Sequence, residues 1–314
     1  VTLAIVFPGQ GSQSVGMLGG LAQAHPLVEE TFAVASHVLG YDLGALVRDG
    51  PEASLNRTER AQPALLAAGV AVWRVWRARG GPEPVCMAGH SLGEYTALVC
   101  AGGLELEEAI GLVADRGRFM QEAVPEGEGA MAAILGLGDA EVEAACAVAA
   151  EGEVVSAANY NSPGQVVVAG GAAAVARVVE RARSAGAKRA VMLAVSVPSH
   201  CELMAGAARR LQERLAEVVV RVPRIPVFHN VDGRTRSDPG GIRAALADQV
   251  RRPVRWVECV RAMAGQGVTE VVEMGPGKVL TGLTPRIVAG MGARSVGTPA
   301  GLHQALVDLG GAGR

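Results

Sequence analysis

A chain of 314 residues with 49% hydrophobic side chains has enough apolar surface for one large domain or two unequal ones. A net charge of −2 and only 3% aromatic residues argue against a basic or base-stacking nucleic-acid surface. Five cysteines, odd in number and without a Cys-x-x-Cys pair, suit a reducing cytoplasm, and no apolar run reaches membrane-spanning length.

Leu3 to Phe7 is a continuous apolar run, the pattern of a central parallel strand. It enters Pro8-Gly9-Gln10-Gly11-Ser12-Gln13, a loop at a strand's carboxyl end, where open α/β sheets hold their ligands. The loop lacks the Gly-Lys-Ser/Thr of a phosphate cradle and the glycine spacing of a dinucleotide site. Its backbone amides suit an oxyanion better. Periodicity predicts helices over Pro26–Leu39 and Gln62–Arg79. Pro84 to Ala88 then reads as a second buried strand, and Glu94 to Cys100 as a helix. Gly89-His90-Ser91-Leu92-Gly93 joins them. Strand, glycine-flanked serine and helix make a nucleophile elbow, with Ser91 presented at a helix N-terminus.

Glu105 to Val124 carries an apolar stripe at helical spacing, with Arg116 at its edge and Arg118 on the opposite, solvated face. An arginine leaning toward the core needs an anion, and spacing alone favours a neighbouring Asp or Glu. From Gly127 to about Val195 the order strand, helix, strand, strand, helix, strand is that of a ferredoxin-like split unit, with Asn159 to Gly164 as its central turn. The expected fold is α/β: a hydrolase-like parallel-sheet domain from 1–126 and 197–314, with the ferredoxin-like small domain inserted at 127–196. Ile225 to Phe228 is read as an edge strand because of Pro226, Val254 to Gly265 as a helix, and Val268 to Met274 as a buried strand before a final helix. The tail after Leu309 is expected to be frayed.

A serine hydroxyl needs a base within hydrogen-bond reach. His25, His37 and His303 sit in ordinary surroundings, and His90, adjacent to Ser91, points away from it and supports the turn. His229, beside Asn230, is a weak rival. His200 lies at a domain crossing, where a cleft forms, and is the candidate base. Cys201 follows it and is the one cysteine to watch as a competing nucleophile. No carboxylate stands out between Ser91 and His200 as a third catalytic member.

Five motifs run in register along the chain: Phe7-Pro8-Gly9-Gln10-Gly11-Ser12-Gln13, Gly89-His90-Ser91-Leu92-Gly93-Glu94-Tyr95, Asn159 to Gln165, Val197-Pro198-Ser199-His200, and Gly275 to Leu280. Together, over residues 3 to 287, they resemble the stand-alone malonyl-CoA:acyl carrier protein transacylases of bacterial fatty-acid synthesis, relatives of polyketide-synthase acyltransferase domains. The resemblance implies that Ser91 carries the acyl ester and His200 is general base, then acid. It implies an oxyanion hole from the backbone N–H groups of Gln10 and Leu92, a malonyl carboxylate held by Arg116, and a histidine oriented by the backbone carbonyl of Gln249. It further implies a coenzyme A thioester as substrate, phosphopantetheine carried by the partner acyl carrier protein, no bound cofactor or metal, and a cytoplasmic monomer. Two alternatives remain: an acyltransferase serving a polyketide synthase, and a serine esterase or thioesterase. The first tends to carry His-Ala-Phe-His or Tyr-Ala-Ser-His; Val197-Pro198-Ser199-His200 is neither, though Ser199 leaves room for relaxed extender choice. Arg116 and the missing acid count against the second.

Overall fold

The computed structural model describes residues 1–195 and 197–310. Its strands, in chain order, are β1 (Leu3–Phe7), β2 (Cys86–Gly89), β3 (Gly129–Leu135), β4 (Val155–Ser162), β5 (Gln165–Gly171), β6 (Arg189–Met192), β7 (Val227–His229), β8 (Arg234–Thr235), β9 (Glu270–Glu273) and β10 (Gly292–Ser295). They form two sheets, one in the order β10-β9-β1-β2-β7-β8 and one in the order β4-β5-β3-β6.

In the first sheet β10, β9, β1, β2 and β7 are parallel, and only the two-residue β8 is antiparallel. Every residue of β1 is buried because helices cover both faces. Leu3, Ile5 and Phe7 join one apolar cluster with the helices Thr58–Ala78 and Leu106–Ala123, while Ala4 and Val6 join another with Trp256 and Leu280. The side-chain alternation of a strand thus divides one sequence run between two cores. β1 and β2 end side by side, Phe7 opposite Gly89, so the loops after both strands meet at one edge of the sheet.

The second sheet is wholly antiparallel and arises from the stretch between 129 and 192. The helices Asp139–Ala149 and Ala172–Ser184 pack on one face through Ile134, Val142, Val166, Val168, Val175 and Val178. The other face, with Met131, Ala158, Val167 and Ala169, packs against Cys201 of the first unit. Strand order and connections are ferredoxin-like.

Three local expectations are corrected. Asn159 to Gly164 is not mainly a turn: β4 runs on to Ser162, because register shifts around Asn159 and Tyr160 let the polar run stay in the ladder. β7 is not an edge strand, since β8 pairs on its outer side, and Pro226 keeps its place by accepting from Met87 N–H at 2.8 Å. The helix Val279–Ile287 is not the last element; β10 and the helix Pro299–Asp308 follow, and β10 was hidden because Gly292 to Ser295 has no apolar run. The tail expected to fray lies, beyond Gly310, outside the described residues, as does Ser196 at the expected domain crossing.

Candidate active site

The elbow is a packing problem that two glycines solve. A Cβ on Gly89 would sit 1.8 Å from Gly93 C, and one on Gly93 would sit 2.1 Å from Phe7 O and 2.9 Å from Pro8 O. Both glycines are demanded by close approach of backbone to backbone, and neither has a positive φ. The left-handed residue is Ser91 itself, at φ 51°, in a region that costs a side chain about 1–3 kcal/mol. Surrounding bonds hold it there. Ser91 N–H donates to Asn230 Oδ1 at 2.7 Å, Asn230 Nδ2 donates to Gly89 O at 2.8 Å, and Gln249 Nε2 donates to Ser91 O at 2.9 Å.

His200 Nε2 lies 2.8 Å from Ser91 Oγ, and Nδ1 lies 2.7 Å from the main-chain oxygen of Gln249. A carbonyl only accepts, so the proton is on Nδ1 and Nε2 faces the serine with a free lone pair. Local sequence frees that carbonyl. Gln249 is the last residue of the helix Pro239–Gln249, and its helical partner four positions on is Pro253, which has no N–H. A helix C-terminus also favours the imidazolium that forms when the base takes a proton. His200 is itself left-handed, at φ 64°, and its N–H is held by Val250 O at 3.0 Å. Burial, and next the positive charge of Arg116, push its pKa down to about 3, so the imidazole rests neutral.

Arg116 is 1% exposed. Its Nη1 donates to Gln62 Oε1 at 2.7 Å, and its Nη2 to Gln249 Oε1 at 2.9 Å and to Ser91 Oγ at 3.1 Å. Among the described residues it contacts no carboxylate, so the ion pair that spacing favoured does not form. Asp115 pairs instead with Arg118 and Arg214. The hydrogen-bond acceptors of Arg116 in the protein are all neutral, and Ser91 Oγ lies between a cation and a base. The backbone N–H groups of Gln10 and Leu92 follow the ends of β1 and β2, and among the described residues neither donates to another protein atom. The arrangement provides a nucleophile, a neutral base, uncommitted N–H donors and a cation for a negatively charged group.

His229 is not placed as a base: its Nδ1 bonds to Glu94 Oε1 at 2.7 Å, beneath the elbow. His90 faces away from the nucleophile's partners, with Nε2 2.8 Å from Asn161 Oδ1 on β4, and so ties the elbow to the second sheet. The Cys201 thiol is buried, donates to Pro198 O at 3.2 Å, and is pushed up to about 11 by burial, so it is no rival nucleophile. Sequence reasoning missed Gln62, Glu94 and Asn230. Gln62 had a signal, a polar residue inside the apolar stretch Ala61 to Val72; Glu94 stands in the first turn of its helix, where acids are common, yet it is fully buried. Among the described residues no group of three His, Cys, Asp or Glu could hold a metal ion, and no helix is long and apolar enough to cross a membrane.

Compared with known proteins, residues 4–297 match the acyl transferase domain family. A malonyl CoA-acyl carrier protein transacylase of Salmonella typhimurium is 56% identical over 305 residues, covering 97% of this chain and 99% of the relative. The crystal structure of an acyl carrier protein S-malonyltransferase from Vibrio cholerae superposes with a TM-score of 0.95 at 57% identity, covering 97% of this chain and 99% of that one. A malonyl-transacylase solved in complex with its type II polyketide-synthase acyl carrier protein gives 0.97 at 55% identity, covering 98% and 100%.

Proposed function

The chain belongs to the acyl transferase domain family, and from that premise we infer that it is an acyltransferase moving a malonyl group from coenzyme A to the phosphopantetheine thiol of acyl carrier protein. The observation that carries this reading is that Ser91 Oγ meets both a neutral histidine and a buried, carboxylate-free arginine. In the first half-reaction Ser91 Oγ attacks the thioester carbonyl while His200 Nε2 takes its proton. The N–H groups of Gln10 and Leu92 receive the oxyanion. The intermediate collapses by breaking the C–S bond, and His200 returns the proton to the leaving sulfur. In the second, the phosphopantetheine thiol gives its proton to His200 and attacks the ester, and Ser91 leaves with the proton restored. Gln249 O faces Nδ1 throughout and keeps the imidazole in the productive tautomer. Arg116 takes the free carboxylate of the malonyl group, and that anion supplies the partner the guanidinium lacks in the free protein.

The chain acts as a cytoplasmic monomer of the expected division 1–126, 127–196 and 197–314, with no bound cofactor, in fatty-acid synthesis. For an acidic carrier the candidate docking charges are Arg189 and Arg286, which line a groove of about 480 Å³, a solvated surface charge being the plainer reading of either. Service to a polyketide-synthase carrier is a second reading, favoured by the 55% identity to the transacylase solved with such a carrier. Intact mass after brief incubation with malonyl-CoA tests the chemistry: one malonyl adduct is expected, absent in Ser91→Ala and discharged by holo carrier protein. An adduct that survives Ser91→Ala would refute the mechanism. Relative discharge rates on the two kinds of carrier decide between the pathways.

A further inference from the structure

Arg116 is positioned from below by a residue that never touches it. Its Nη2 donates to Oε1 of the Gln249 side chain at 2.9 Å, and Nε2 of the same amide donates to Glu94 Oε2 at 2.8 Å. Gln249 is therefore a relay, oxygen toward the cation and nitrogen toward the carboxylate, with its second N–H on Ser91 O at 2.9 Å. All three residues are essentially withdrawn from water, so no solvent substitutes for a missing partner. An amide has two nearly isosteric orientations, and only its partners choose between them. Turned over, Gln249 would present an N–H donor to the guanidinium, which has only donors of its own.

We propose that Glu94 is a positioning residue for malonyl selection: by accepting from Gln249 Nε2 alongside Ser91 O, it is the charged acceptor that holds the amide, and through it Arg116, where a malonyl carboxylate is met. Glu94 is itself anchored. Its Oε1 accepts from His229 Nδ1 at 2.7 Å and its Oε2 from Asn230 N–H at 2.9 Å. Asn230 in turn holds Ser91 N–H, so one buried carboxylate supports both elbow and selector. Of these two effects, only the second distinguishes malonyl from acetyl, because acetyl has no carboxylate for Arg116 to hold.

The role is acceptance, so a glutamine at position 94 can serve. Its oxygen keeps Gln249 and Asn230, while its NH2 faces His229 Nδ1, which accepts once the ring proton moves to Nε2, at the cost of a buried N–H without a partner. The test is the ratio of kcat/KM for malonyl-CoA to that for acetyl-CoA, measured on the full chain. Glu94→Met should lower the ratio by roughly ten- to a hundredfold, the scale of one hydrogen bond to a charged group. Glu94→Gln should restore it to within about threefold of wild type. Where Glu94→Met does not fold, Gln249→Met serves: it removes the relay, keeps the main-chain carbonyl for His200, and must lower the ratio by the same order. Equal losses on both substrates, or a Glu94→Gln ratio as low as that of the methionine variant, would overturn the inference. The inference rests on Arg116 binding the malonyl carboxylate, and Arg116→Ala separates the two. If that variant leaves the ratio unchanged, the underlying reading fails as well. If it lowers the ratio while the Glu94 variants do not, only the role of Glu94 is wrong.

Discussion

Replacing Arg116 by alanine should convert a malonyl-selective enzyme into one that favours uncharged acyl groups. Removing one member of a desolvated, charge-assisted pair costs about 2–5 kcal/mol, largely because the remaining charge stays buried and unpaired. At 1.4 kcal/mol per decade, malonyl transfer should fall roughly thirty- to several-thousandfold. The contacts within the protein set the penalty on folding. Gln62 Oε1 and Gln249 Oε1 each lose a donor in a buried site, at about 1–3 kcal/mol apiece, offset in part by no longer burying a guanidinium. The acetyl reaction keeps the bond from Ser91 Oγ to His200 and loses only a donor to the serine oxygen, so it should change less than about tenfold. The assay is kcat/KM for both thioesters on wild type and variant, with circular dichroism and a melting curve to show that the variant is folded. Equal losses for the two substrates in a folded protein would mean that Arg116 only braces Gln62 and Gln249, and the reasoning would fail.

His200→Ala should slow acylation by about a hundredfold or more, the usual scale for loss of a general base, with His229→Ala as the control that leaves His200 in place. Burial first, then Arg116, holds the His200 pKa at about 3, so the acid limb of kcat/KM for acetyl-CoA should lie well below pH 6.5 and should move upward in Arg116→Ala; a limb that stays put would deny the coupling. The same shift has a stability sign: between about 6.5 and 3 the unfolded chain binds a proton that the native imidazole refuses, so this contribution is complete above 6.5 and declines as the pH falls. A pH series of denaturation midpoints on wild type and His200→Ala reads it as a smaller acid slope in the variant. Gly93→Ala should destabilise by about 1–3 kcal/mol and depress acylation of every thioester, because its Cβ meets the backbone oxygens of Phe7 and Pro8 rather than a side chain that could turn away; unaltered melting and activity would contradict the close packing described at the elbow.

What was legible in the linear chain is what short-range physics controls. The run Leu3 to Phe7 required a buried parallel strand, and the sequence from Cys86 to Cys100 carried its strand, tight turn and helix within a few residues. Helical phase alone brought Arg116 to the edge of an apolar stripe. Its partners were not legible, since nearby carboxylates were the natural expectation, whereas Gln62, Gln249 and Ser91 lie 54, 133 and 25 positions away. The orientation of His200 was intermediate: Pro253 four residues after Gln249 leaves a carbonyl without its helical donor, but only the tertiary fold aims that carbonyl at an imidazole 49 positions distant. The strand order, the burial of Glu94 and the relay through the Gln249 amide depend on backbone segments brought together from opposite ends of the chain. Local pattern can require that a buried polar group have a partner; which partner it finds is decided by the packing of the whole sheet and its helices, because hydrogen-bond geometry is set in space and carries no periodicity along the sequence.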